Sequence, residues 1–572
     1  MNWWQRHDLD RAVVPVWAAT LALAVCVPLF ARGYVLTYDM VWVPQLDLDR
    51  PEIWGLGTGL PRAVPSDAVV ALLDTVLPAA LVQRLVLFAA LSLLALGTAR
   101  LLRERPLVAQ LSGATLAVWN PFIAERLVLG QWPLLLALAA FPWLIGALGG
   151  KDGPRWAVAV IALAATALTP ATGVMGVLIA VTAAWRRGVV TVVLLAALVN
   201  GPWIVAGLLR ASISRTDPAA VKLFELQPEG HFGRLGSALT LGGVWNTEVV
   251  PTSRTLWIAV LIAVVIGAVI VVGLVMMWRD DRRLLAVLGM SGAIGLAIAL
   301  LGWLAPELVT KVVADVPAGG LIRDGTRWLA MLVPLEAVAF GAGVHAVFHR
   351  FEFTAWELPV VVLAVMLPLT AIPDLAWGVG GRLDPSTYPA SWSDARRVIE
   401  KARTPGDILV LPFSAYRRPS WNDDTPVLDP AGRYFDRATV VNDELVVSGR
   451  TIAGEDPRAR RVGRVLQGEA VTRGVARQGI GLVVVETDAL GARESLRQLR
   501  GARELAVSGN DLRVFAIPGA RPEPVDEGDR RLMIGTWGVA ALTLLVALIG
   551  AVRAGASRWR RRHAETPPRV RP

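Results

Sequence analysis

The chain has one cysteine, Cys26, and only five histidines in 572 residues. A single thiol excludes any disulfide within the chain. Cys26 lies inside an apolar run, where a small buried hydrophobe is its expected role. With a single cysteine the chain holds no paired Cys ligands for a zinc finger, and so few Cys and His leave little material for a Cys–His nucleophile. A phosphate-cradling P-loop and a serine nucleophile elbow are missing too. Lysine is scarce: Lys151, Lys222, Lys311 and Lys401 are the only ones, and every other basic residue is arginine. There is no internal repeat, and no low-complexity tract beyond an Arg/Pro-rich tail. The chemistry left to the chain is that of carboxylates and arginines.

What is abundant is apolar surface. Hydrophobic residues make up 54% of the chain, more than a soluble protein of this length needs for its core. Apolar runs of about 16–24 residues alternate with short charged loops, which predicts a polytopic α-helical membrane protein. Spans are expected near 13–30, 83–102, 107–122, 131–149, 155–169, 171–185, 189–208, 255–278, 284–303, 327–347, 356–373 and 531–552, about twelve in all. The first follows Arg6 and Arg11 and reads as a signal anchor. The stretch 155–185 is interrupted at Thr169-Pro170-Ala171-Thr172-Gly173, giving two short spans or one kinked span. Two short spans keep the parity that Arg155 and Arg186-Arg187 require.

The net charge of +10 does not indicate a nucleic-acid partner. The arginines cluster in short loops and in the tail Arg553 to Arg571, as inside-facing anchors do. Their density is several-fold higher on one side, which places both termini in the cytoplasm of a plasma-membrane protein. Loops 31–82 and 209–254 are then outside. Tryptophans such as Trp132, Trp185, Trp278 and Trp303 fall at expected span ends, as in an interfacial belt.

Residues 374–530 change character, with more Pro, Asp, Arg and Gly and no run long enough to span. They are expected to form a small extracytoplasmic α/β domain, between a membrane core of residues 1–373 and a final span with a basic tail at 531–572. Strands are predicted at 407–412, 481–485 and 512–517. Helices are predicted at 394–402, with Ser393 as cap candidate, and at 458–478.

The candidate chemistry lies in the outer loops. Asp39 stands among aromatics and aliphatics in Gly33 to Pro44, just beyond the first span. Ionised groups avoid such a boundary unless something uses or pairs them. It is a candidate general base, or else a carboxylate that caps a helix or pairs with Arg. Asp47-Leu48-Asp49 is a short Asp-x-Asp whose two carboxylates could hold a divalent metal; a solvated loop is the alternative. Glu125-Arg126 falls in what reads as a tight outer hairpin, either a phosphate-binding Arg steadied by its neighbour or a local ion pair. Arg323, Asp324 and Arg327 precede a span; the two arginines would clamp a lipid-linked phosphate or snorkel beside Trp328. His231, in loop 209–254, is a further acid/base or ligand candidate.

The many-span core, the long first outer loop with Tyr38-Asp39-Met40, and the outer loops bearing acids and arginines resemble the GT-C superfamily of integral membrane glycosyltransferases. The segment Asn120-Pro121-Phe122, Glu125-Arg126 and Gly130-Gln131-Trp132 adds to the resemblance. It is closest to actinobacterial cell-envelope arabinofuranosyl- and mannosyltransferases and to YfhO-like membrane proteins. It covers roughly residues 1–373 in pattern and contains no long motif. Asp39 stands alone, where many members have a pair of acids. The resemblance implies transfer of a sugar from a polyprenyl-phosphate donor to an envelope glycan or lipid acceptor outside the membrane, with inversion. Asp39 would be the base, and Arg126, Arg323 or Arg327 would stabilise the leaving phosphate. A lipid-linked-sugar flippase and a non-catalytic partner of an envelope synthase are the alternatives.

Overall fold

The computed structural model describes residues 7–150, 153–185, 188–211, 216–350, 357–447, 449–522 and 524–564. Arg6, Lys151, Arg186-Arg187 and the tail beyond residue 564, all used in the charge argument, lie outside them.

A helix stands at each expected span. Among the described residues seven helices are long and apolar enough to cross a membrane, and up to nine if two bent pairs each count as one. Trp132–Leu148, Trp156–Thr166 and Pro170–Ala184 are apolar but shorter, so length and composition alone do not give about twelve crossings. The break at residues 167–169 is real. Thr169 and Thr172 form a reciprocal capping box, and Pro170 opens the second helix. The helices pack closely where side chains are small. A Cβ on Gly273 would lie 1.8 Å from the Ala339 carbonyl oxygen, and one on Gly343 would lie 1.9 Å from that of Val269. These glycines let Trp257–Asp280 and Val333–Arg350 touch backbone to backbone.

One expectation about the core is corrected. Residues 119–132 form no exposed hairpin. Asn120 accepts the Ile123 N–H at 3.1 Å and caps a helix, Pro121–Val128, whose residues are all buried. The Asn-Pro pair starts this helix directly after Leu107–Val118, so Leu107–Val128 forms one 22-residue candidate span.

Near the C-terminus five strands form one sheet: β1 (Asp407–Leu411), β2 (Thr439–Val440), β3 (Ile480–Glu486), β4 (Arg503–Leu505) and β5 (Leu512–Ala516), in the order β2-β1-β3-β5-β4. β1 runs parallel to β2 and β3, whereas β5 is antiparallel to β3 and β4. Side chains alternate between two cores, as a period of two requires. Ile408, Val410, Leu482, Val484 and Val514 face one side. Leu409, Leu411, Val483, Val485 and Phe515 face the other, beneath helices Pro457–Leu466, Val471–Arg477 and Ala492–Gln498. Both faces are covered, which explains why β3 reads as an unbroken apolar run. The helix expected over 458–478 is thus two helices. Ser393 is no cap: helix Ala390–Lys401 begins before it, and the Ser393 hydroxyl donates to the Ala390 carbonyl.

The first loop joins these parts. Leu36, Val41, Val43, Leu46 and Ile53 belong to the same core as Trp392, Ile408 and Val484. The loop is therefore a wedge between bundle and sheet, packed on both sides.

Candidate functional site

The chain turns sharply at Tyr38, whose φ is 42°. The turn is stapled to the bundle: the Asp39 N–H donates to the Leu129 carbonyl at 3.1 Å, and the Thr37 hydroxyl donates to that of Val128 at 2.8 Å. Gly130 makes this approach possible, since a Cβ there would sit 2.2 Å from the Met40 nitrogen. On the other side, the Tyr38 N–H donates to Pro426 at 2.6 Å, and the Leu428 N–H donates to the Tyr38 carbonyl at 2.7 Å. Asp39 is thereby held at the seam between membrane helices and sheet.

The seam opens into a cavity of about 1940 Å³ lined by Asp39, Arg62, Arg323, Asp324, Arg327, Tyr416 and Glu455, among others. Met175, Trp203, Ile204, Leu208 and Val313 make an apolar wall. The residues after β1 and at the end of β3, from Ser414 to Arg418 and from Glu486 to Leu490, supply wall on the sheet side.

Both Asp39 oxygens are engaged. The Tyr416 hydroxyl donates to Oδ1 at 2.6 Å and the Gln131 amide to Oδ2 at 3.4 Å. Gln131 in turn accepts from Arg126 at 3.1 Å, and Arg126 donates to the Thr326 hydroxyl at 2.7 Å. Thr326 donates to Asp324 at 2.8 Å, and Asp324 pairs with Arg327 at 2.8 Å. One polar relay thus runs from the carboxylate to the arginine. Arg126 is fully buried over the Phe122 ring and does not reach the cavity; Arg327 does.

A second cluster centres on Glu455, which accepts from Arg62, from Arg323 at 2.8 Å and from Thr216 at 2.7 Å. Burial opposes charge on Glu455, but Arg62, Arg323 and Thr216 hold it down to about 2. Burial and the neighbouring Arg62 push Arg323 down to about 10, against the pull of Glu455. Two guanidiniums share one carboxylate, so the spot favours a further anion. Asp324 lies below the usual carboxylate range, because Arg327 and Arg126 outweigh its burial.

Glu455 also yields a pH prediction. Its carboxyl titrates lower when folded than when unfolded. The stabilisation is therefore complete above the ordinary value of 4.5 and is lost as pH falls toward about 2. The protection of amides in residues 443–456, taken relative to the intrinsic exchange rate at each pH, should fall over that window, reflecting up to roughly 3 kcal/mol. In Glu455→Gln the protection should already be low at neutral pH and change little with acid.

Of the sequence candidates, Asp39, Arg323, Asp324 and Arg327 share the cavity. Glu125 and Arg126 lie behind it. Glu125 faces Glu229, itself paired with Arg254 at 3.0 Å. His231 is exposed and stacked on Trp257, with centroids 4.0 Å apart, and does not line the cavity. Asp47 turns inward on its own loop, accepting the Asp49 N–H at 3.0 Å, and neither residue lines the cavity. Among the described residues no group of His, Cys, Asp or Glu is arranged to hold a metal ion. Sequence reading missed Arg62, Tyr416 and Glu455. No spacing connects them to Asp39 or Arg323; only Tyr416, an aromatic just past a predicted strand, lay where α/β sheets bind ligands.

No family model matches this sequence, and no curated protein matches it. Solved structures do. The arabinofuranosyltransferase AftD from Mycobacteria is 16% identical, with a TM-score of 0.53 over 89% of this chain and 40% of that one. A mutant of the same protein gives 16% identity and a TM-score of 0.57 over 90% and 42%. The oligosaccharyltransferase AglB from Archaeoglobus fulgidus, in complex with an inhibitory peptide and a dolichol-phosphate, is 12% identical, with a TM-score of 0.37 over 85% and 70%. The chain spans about two-fifths of AftD's length. At such identities the likeness to AftD is one of fold. With seven helices long and apolar enough to cross a membrane among the described residues, the chain is a multi-pass membrane protein that shares its fold with AftD.

Proposed function

We propose that this chain is a membrane glycosyltransferase that moves a sugar from a polyprenyl-phosphate donor to an envelope glycan or lipid acceptor outside the membrane. The observation that carries this reading is that a carboxylate, Asp39, and an arginine pair, Arg323 and Arg327, open onto one cavity with an apolar wall. Asp39 takes the proton of an acceptor hydroxyl as that oxygen attacks the anomeric carbon. The bond from that carbon to the phosphate oxygen breaks on the opposite face, and the configuration inverts. Arg327 and Arg323 stabilise the charge that builds on the departing lipid phosphate. Phosphate leaves readily, so no strong general acid is required. The prenyl chain lies along Met175, Trp203, Ile204 and Leu208. Arg126 positions rather than binds. In this reading the three shorter helices complete about twelve crossings, the termini are cytoplasmic, and the sheet region is an extracytoplasmic domain.

The test is transfer from radiolabelled polyprenyl-phosphate sugars by the purified protein in lipid nanodiscs. Arg327→Ala should lower kcat by about 10²–10³-fold, the cost of losing one charge-stabilising donor. Donor that crosses liposomes containing the protein, with no transfer to any acceptor, would replace this reading with the flippase.

A further inference from the structure

We propose that Tyr416 is a positioning residue for this reaction, which orients the Asp39 carboxylate from the sheet side of the cavity. The inference rests on Asp39 being the base, and it gives the sheet region a part in the chemistry beyond holding an acceptor.

The contact is short and deliberately built. The Tyr416 hydroxyl reaches Asp39 Oδ1 at 2.6 Å across 377 residues of sequence. Tyr416 and Arg417 pair antiparallel with Val427–Leu428, and Tyr38 bridges Val427 from the other side. The loop that carries the base is therefore hydrogen-bonded into the same small ladder as the tyrosine. Successive side chains of a strand point opposite ways. Tyr416 points at Asp39. Arg417 points into the sheet, where it donates to the Pro412 carbonyl at 2.6 Å and pairs with buried Asp429 at 3.0 Å and Glu486 at 3.3 Å. Arg417 is thus the anchor that prevents its neighbour from swinging away. The Tyr416 ring also meets Tyr38 edge to face, with centroids 6.3 Å apart.

The hydroxyl is a dependable donor. Burial and the adjacent Asp39 raise its titration well above the ordinary tyrosine range, so it keeps its proton throughout any working pH. A fixed donor holds the carboxylate in one orientation, as a base must be held to reach an acceptor hydroxyl. Other charges act on this pair. Arg126 from Pro121–Val128 and Arg433 from Ala431–Tyr434 face Asp39, with Asp67 from Ser66–Asp74 paired to Arg433 at 2.9 Å. Arg62 and Arg327 face Tyr416. Replacing the tyrosine by phenylalanine removes only the hydroxyl and leaves all of these in place.

The experiment compares kcat and the donor KM of the full-length protein and Tyr416→Phe, in nanodiscs with a radiolabelled polyprenyl-phosphate donor. At saturating donor kcat should fall about tenfold from loss of alignment. The donor KM should stay unchanged, because the arginines are untouched, and this also reports an intact fold. Tyr434→Phe, which removes a phenol hydroxyl outside the cavity, should move neither quantity. A kcat that holds at the wild-type value, or a donor KM that worsens in step with kcat, overturns the inference, since a merely structural role would disturb donor binding and turnover together. A fully active Asp39→Asn instead overturns the base assignment on which it rests.

Discussion

Asp39→Asn should all but abolish sugar transfer while leaving donor binding intact. Loss of a general base costs about 10²–10⁴-fold in rate, and the asparagine amide cannot take up the proton that the acceptor hydroxyl must lose. The substitution is nearly isosteric, and the surrounding contacts tolerate it. The Asn carbonyl oxygen can still accept from Tyr416, and because the Gln131 oxygen stays committed to Arg126, only the long 3.4 Å bond from the Gln131 amide is lost. The backbone bonds from Asp39 to Leu129 and from Thr37 to Met40 do not involve the side chain. Kinetics with a labelled donor check the outcome: kcat should collapse and the donor KM hold. A variant that transfers sugar at the wild-type rate would remove Asp39 from the mechanism.

The second large effect is on stability. Arg126→Met should destabilise the protein by about 3 kcal/mol, toward the lower end of the cost of breaking a buried ion pair. Arg126 is fully buried, and its guanidinium serves Gln131, Thr326 and Asp324 together. Methionine fills much of the volume but satisfies none of them. Asp324 keeps Arg327 and Thr326, which is why the cost is not larger. Activity should fall as well, because Gln131 loses the partner that aims it at Asp39. Arg126→Lys should lie in between: it restores the charge but not the fork that reaches Gln131 and Thr326 at once. Thermal melts in one detergent at one pH compare the three proteins. A methionine variant that melts with the wild type would mean that the relay carries no structural load.

Much of the architecture was legible in the sequence because it is written locally. The apolar runs became helices, and the strands expected over 407–412, 481–485 and 512–517 became β1, β3 and β5 to within a residue or two. Residues 119–132 misled because a charged pair between apolar runs reads as a loop. A Glu-Arg pair can also be buried when other parts of the chain bring partners. For Glu125 and Arg126 those are Glu229, Asp324 and Thr326, between about 100 and 200 positions away. His231 and the Asp-x-Asp drew notice for their residue types, yet their side chains are spent on Trp257 and on a local turn.

By itself the sequence determined that this is a chain of apolar helices with strands and helices alternating near the C-terminus, and it left carboxylates and arginines as the residues from which a site would be built. Periodicity, run length and composition act over a few turns of chain, so one sequence carries them. Which charges meet was decided only by the tertiary structure. Asp39 takes its hydrogen bond from Tyr416 across 377 positions, and Arg323 finds Glu455 across 132. No periodic pattern relates residues so far apart. They come together because the first loop packs as a wedge between bundle and sheet, and burial of its apolar side chains carries Asp39 to the seam.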